Sequence, residues 1–138
     1  MFSREFGDQA EVGLSSDALR LAHTWSDYSV GVAAQLEKAG FALNGTNLLV
    51  RREVPIGAGL SSSASIEVAT VLALAEESGL SIDRTRLARI CQQAENGFVR
   101  DALWDHGSVY FAAPARESCF DAPLPLATVC TTANSRIR

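Results

Sequence analysis

The twelve residues VPIGAGLSSSAS, Val54 to Ser65, put two glycines and four serines between an alternating apolar run, LLVRREV, and a long apolar stretch, IEVATVLALAEE. Glycine reaches backbone angles closed to other residues and lets a ligand approach the main chain, so Gly57 and Gly59 can fold the loop around a small group. Successive amide N–H groups at the start of the helix that follows then point into one volume, with the positive end of the helix dipole behind them. Such a cradle suits anions, and the hydroxyls of Ser61, Ser62 and Ser63 add donors. A hydroxyl oxygen is also an acceptable hard ligand for magnesium. No lysine follows the second glycine as a Walker loop requires, and the spacing is not the GxGxxG of dinucleotide folds. On these residues alone, a capped turn with serines as helix caps is the competing reading.

A second chemical candidate is Glu95. It lies eight residues after Leu87 and four after Cys91, on the stripe Leu87, Ile90, Cys91, Ala94, Phe98 of an amphipathic helix, so a carboxylate faces the side that should be buried. It needs a partner there. A metal at the mouth of the anion cradle would provide one, and a salt bridge to an arginine such as Arg51 is the alternative. Trp25 and Tyr28, about one helical turn apart, read as core aromatics on spacing alone. Asp101, Asp105 and His106 read as solvated side chains, and His23 has nothing beside it to act with.

The elements that must hold these residues are legible in the periodicity. Ser16 and Asp17 can cap a helix running to about Ala39, with Leu21, Trp25, Tyr28, Val32 and Leu36 on one stripe and Gly40 closing it. Asn47 to Val54 reads as a strand ended by Pro55. A helix beginning within Ser61 to Ala64 and running to about Ser78 is apolar on nearly every face, so it belongs in the middle of the domain. Gly79 ends it, and Ser81 or Asp83 caps the helix that carries Glu95. The class is α+β, one sheet covered by three helices. The expected core is Val12, Trp25, Val32, Leu48, Val50, Val68, Leu72, Leu87, Ile90 and Phe98. After Val99 no helical period is sustained and Pro114, Pro123 and Pro125 interrupt the chain, so 1–99 reads as a domain and 100–138 as an irregular tail.

Composition narrows the function classes. With 47% hydrophobic residues among 138, the chain can bury one core. A net charge of −4 without basic clusters argues against nucleic acid or an anionic membrane surface as partner, since both need a positive field. No apolar run reaches the ~20 residues of a membrane helix, and MFSREFGDQAEV lacks the pattern of a signal peptide, so a cytoplasmic monomer acting on small molecules is expected. Cys91, Cys119 and Cys130 are odd in number and widely spaced, which suggests neither a disulfide framework nor a zinc site.

VPIGAGLSSSASIEVA resembles the nucleotide-binding signature of the GHMP kinases, with the triple serine of the galactokinase version; mevalonate and homoserine kinases usually read GLGSSA. CQQAENGFV is similar to the galactokinase helix that follows, and WSDYSVGVAAQL to its aromatic segment, so the resemblance covers about Glu11 to Val99. It implies the N-terminal part of the GHMP kinase fold, like domain 2 of ribosomal protein S5 and incomplete here. It also implies ATP, magnesium and galactose as ligands. Gly57, Ala58, Gly59, Leu60, Ser61, Ser62 and Ser63 would wrap the triphosphate, Ser63 and Glu95 would hold magnesium, and Trp25 and Tyr28 would line the adenine pocket.

Two departures bear on activity. Galactokinases carry a GRVNLIGEHTDY-like segment ahead of this region, supplying the catalytic arginine and sugar contacts, and this chain begins after it. They also carry CGIMDQ, with the aspartate as general base, where this chain reads FVRDALWDHGS. The codons of Ala102 to Ser108, written GCN CTG TGG GAT CAT GGA TCA and read one base later, yield CGIMD followed by a glutamine codon. The same shift turns Val109, Tyr110 and Phe111 into FIS, also galactokinase-like. Residues 100 to about 126 are therefore expected to be family sequence in the wrong frame, with the frame returning near LATVCTTANSRIR. The expected product is a galactokinase fragment without turnover, and a nucleotide- or phosphate-binding remnant of a damaged gene is the alternative.

Overall fold

A computed structural model of the chain describes residues 1–15, 19–52, 62–99 and 127–133. The element order is β1 (Phe2–Ser3), β2 (Asp8–Gln9), α1 (Asp27–Lys38), β3 (Thr46–Arg52), α2 (Ser62–Glu77), α3 (Arg84–Ala94), a π-helical turn (Glu95–Val99) and β4 (Ala127–Ala133). The strands form one sheet in the order β2-β1-β3-β4, with β1 parallel to β3 and the other two pairings antiparallel. β3 alternates strictly: Leu48 and Val50 are buried, while Leu49 and Arg51 face outward. A period of two with one covered face is the mark of a sheet packed on one side.

The covering layer is helical. Val32 and Leu36 of α1, Val71 and Leu74 of α2, and Leu87, Ile90 and Cys91 of α3 form one cluster with Leu48, against which Val12, Val68 and Phe98 pack. α2 touches α1, α3, β3 and β4, the central position that its uniformly apolar sequence implies. A buried hydroxyl pair, Ser29 to Thr70 at 3.1 Å, joins α1 to α2. Gly31 lets the π-helical turn come close, because a Cβ there would stand 3.0 Å from Cδ1 of Phe98.

Three expectations need correction. The first helix does not run from Ser16 to Ala39; residues 16–18 lie outside the described residues, and α1 starts only at Asp27. His23, at φ 58°, is left-handed, which no helix interior tolerates, and the buried Asp27 carboxylate accepts from the amides of Ala22 (2.9 Å) and Thr24 (3.0 Å) to hold that turn. Leu72 is not core but 44% exposed: α2 has almost no polar face to mark its outward side, and packing chose it. Nor is the chain after Val99 irregular to its end, since β4 pairs with β3 over seven residues, from Thr46 opposite Ala133 to Arg52 opposite Ala127. The reading of 100–126 lies outside the described residues, as does that of Gly57, Ala58, Gly59, Leu60 and Ser61.

Candidate functional site

α2 begins at Ser62, and its own first turn carries no acidic side chain, so the helix adds no negative charge at its positive end. Ser62 and Ser63, the first two residues of α2, are partly exposed. They open into a cavity of about 740 Å3 that Phe6, Trp25, Tyr28 and Ile66 also line. Four of the residues assigned to the site from sequence, Trp25, Tyr28, Ser62 and Ser63, are thus brought to one cavity by the turn before α1, the first turn of α1 and the start of α2. The Trp25 ring stacks with Phe6 at 6.4 Å between centroids and 20° between planes. Its indole N–H donates to Oδ2 of Asp8 at 3.1 Å, which fixes the ring's orientation. The lining combines aromatic rings, which can hold a base, with serine hydroxyls at a helix N-terminus, which can hold an anion, and it also carries the Glu5 and Asp8 carboxyls. A second cavity, of about 640 Å3, lies beside Leu43, Leu48 and Leu74 and contains none of the candidate residues.

Behind the start of α2 lies a pair of carboxyls. Glu95, the first residue of the π-helical turn, is half-buried with its Oε2 atom enclosed and without a hydrogen-bond partner. Glu67 of α2 is 0% exposed, and neither of its oxygens has a partner. Burial first, then the neighbouring Glu95 charge and a side-chain interaction with it, push the Glu67 carboxyl up from the ordinary 4.5 to about 10. Burial and the nearby Glu67 also push the Cys91 thiol up, so this buried cysteine is not a nucleophile at neutral pH. Arg51 is exposed on β3, whereas Oε2 of Glu95 is buried and bare, so the salt bridge raised as an alternative does not satisfy that atom.

Buried carboxyl oxygens without partners, with Ser63 one helical turn from Glu67 on α2, are donors of the kind a hard divalent cation takes. Magnesium is held by one or two carboxylates with phosphate and water completing its shell, and when bound it neutralises phosphate charge. Among the described residues there is no group of three or more His, Cys, Asp or Glu side chains able to hold a metal, in keeping with so sparse a donor set.

Residues 27–111, more than half the chain, match the GHMP kinases N terminal domain. The chain belongs to the GHMP kinase family. It is 43% identical over 89 residues to a galactokinase of Thermosipho africanus, which takes in 64% of this chain and 25% of that relative. A galactokinase of Halalkalibacterium halodurans is 45% identical over 75 residues, 54% of this chain and 19% of its own length. One of Exiguobacterium sibiricum is 36% identical over 101 residues, 71% of this chain and 26% of its own. The chain thus spans about a quarter or less of these relatives, as a fragment does. Among the described residues, no helix is long and apolar enough to cross a membrane.

Sequence reasoning missed Phe6, Asp8 and Glu67. The first two come from a short hairpin with no motif to mark it. Glu67 had a signal: it is the only charged residue between Ser62 and Ala75, four positions after Ser63 and therefore on the same face of α2.

Proposed function

We propose that this chain is the nucleotide-binding part of a galactokinase, an enzyme that moves the γ-phosphoryl group of ATP to the C1 hydroxyl of galactose. The observation that carries the reading is the meeting of Trp25, Tyr28 and Ser63 in one cavity at the N-terminus of α2, in a chain whose relatives bear that name. In this reading Trp25 and Tyr28 hold the adenine, and Gly57 through Ser63 wrap the triphosphate. Ser63 and Glu95 face the magnesium ion. Phosphoryl transfer is mainly a matter of positioning and charge neutralisation, so these parts are required but do not complete a catalyst. The fold would continue as the S5 domain 2-like half of the family architecture, in a cytoplasmic, monomeric protein with no nucleic-acid or membrane partner.

The out-of-frame reading of residues 100 to about 126 leaves no general base, so the chain binds nucleotide without turning over. That reading supports the second possibility, a non-catalytic remnant. Calorimetry with ATP, with and without magnesium, tests the first proposal: weak, magnesium-dependent binding is expected, and equal affinity in both conditions would contradict the roles of Ser63 and Glu95. Resequencing the gene around codon 100 tests the second. One inserted or deleted base there would restore CGIMDQ and, with it, the general base.

A further inference from the structure

We infer that Glu67 is a second carboxylate of the cation site, so that a divalent cation is held between Glu67 on α2 and Glu95 at the start of the π-helical turn. This rests on the reading of Ser63 and Glu95 as magnesium-facing, and adds a residue that reading does not contain.

Three features lead to it. Glu67 is fully enclosed with both oxygens bare, an environment in which the carboxyl gives up its proton only if something positive is brought in. Among the described residues none hydrogen-bonds either oxygen. On the α1 side, the Ser29 hydroxyl is engaged with Thr70. From α3 comes the Cys91 thiol and from the π-helical turn the Glu95 carboxyl, while Arg86 and Arg89 are exposed, with Arg86 lying over the Phe41 ring.

The second feature is placement. Ser63 and Glu67 stand one turn apart on the same face of α2, so the hydroxyl that borders the nucleotide cavity and the carboxyl behind it belong to one rigid row. The third is the π-helical turn itself. A local widening of the helix re-aims its side chains, and here it begins at Glu95, whose carboxyl is delivered to Glu67. Two carboxylates are the donor count magnesium accepts when phosphate oxygens and water complete the shell.

The test uses the full chain and Mn2+ alone as probe, read by calorimetry and by thermal unfolding, for the parent, Glu67→Gln and Glu95→Gln. The expected result is a Mn2+-dependent rise in the unfolding temperature of the parent and at least a tenfold weaker Mn2+ affinity in both variants. Loss of Mn2+ binding in Glu95→Gln but not in Glu67→Gln overturns the inference while leaving the magnesium role of Glu95 intact. No Mn2+ binding by the parent overturns it as well. A parallel ATP titration keeps the two ideas apart: a parent that binds Mn2+ through Glu67 but not ATP refutes the kinase reading and supports this one. Should Glu67→Gln fail to fold, carboxyl-carbon NMR of the glutamate-labelled parent decides. Broadening of two buried carboxyl signals by Mn2+ is expected, and broadening of one alone overturns the inference.

Discussion

Asp27 and Glu67 are both 0% exposed, yet their surroundings are opposite. Asp27 opens α1 and accepts from two backbone amides, those of Ala22 and Thr24, closing a turn that His23 enters with a left-handed backbone. Glu67, in the middle of α2, accepts from nothing and faces another carboxyl. A buried acid whose oxygens are all used explains a local shape; one whose oxygens are bare asks for a ligand. The contrast separates a buried acid that closes a turn from one that closes none, although both sit in the same helical layer.

The largest expected effect comes from the satisfied member. Asp27→Ala leaves two amides without their acceptor, at about 1–3 kcal/mol each if they stay buried, so urea unfolding should show a loss of roughly 3 kcal/mol. A loss below ~1 kcal/mol would mean that water takes over and that the two acids are less different than their burial suggests.

Next comes the scaffold of the other member. Gly31→Ala puts a methyl group 3.0 Å from the Phe98 ring and should cost about 1–3 kcal/mol by overpacking. Because Phe98 and Glu95 share the π-helical turn, the same variant should also weaken Mn2+ binding, which calorimetry can detect.

A smaller effect, of opposite sign, is expected from Glu67→Gln in the absence of divalent cations. The folded chain keeps a proton on Glu67 up to about pH 10, while an unfolded glutamate releases it near 4.5. Folding therefore takes up a proton in that window, and the stability Glu67 allows is complete below pH 4.5 and declines as the pH rises toward 10. The parent should lose stability steadily across this range, and Glu67→Gln should flatten the profile and be the more stable of the two at pH 8. Parallel pH profiles for the two chains would show that Glu67 is charged and paired.

The smallest expected effect is that of Trp25→Phe, which keeps an aromatic ring beside Phe6 but removes the donor to Asp8. Stability should change by no more than about 1 kcal/mol, since Asp8 is exposed. ATP affinity should fall several-fold. No change in affinity would remove Trp25 from the adenine subsite.

The residue pattern was sufficient for the elements with a strong period or a chemical cap. α3 starts after Asp83, whose side chain accepts from the Arg86 amide at 3.0 Å, and β3 shows the alternation its sequence states. α2 ends beside Gly79, where the chain takes a positive φ of 64°. The glycine-serine loop reads as a phosphate cradle from residue type alone, since backbone freedom and hydroxyl donors do not depend on what surrounds them, and its residues 57–61 lie outside the described ones. Glu95 was legible because an apolar stripe makes one carboxylate conspicuous.

Other features depend on contacts between residues far apart in the chain, and no local pattern encodes those. Leu72 could be assigned to the core or to the surface until α1, α3 and β4 had taken the remaining sides of α2. The start of α1 was misplaced because the apolar spacing of Leu21 and Trp25 continues through a turn that the Asp27 carboxylate and the left-handed His23 impose. Pairing of β4 with β3 joins residues more than seventy positions apart, and its register appears only when both strands are present. The Glu67–Glu95 pair belongs to this second group. Each carboxyl is an ordinary side chain on its own helix, and only the packing of α2 against α3, which removes water from both, turns two unremarkable glutamates into a buried pair in which Glu67 holds its proton.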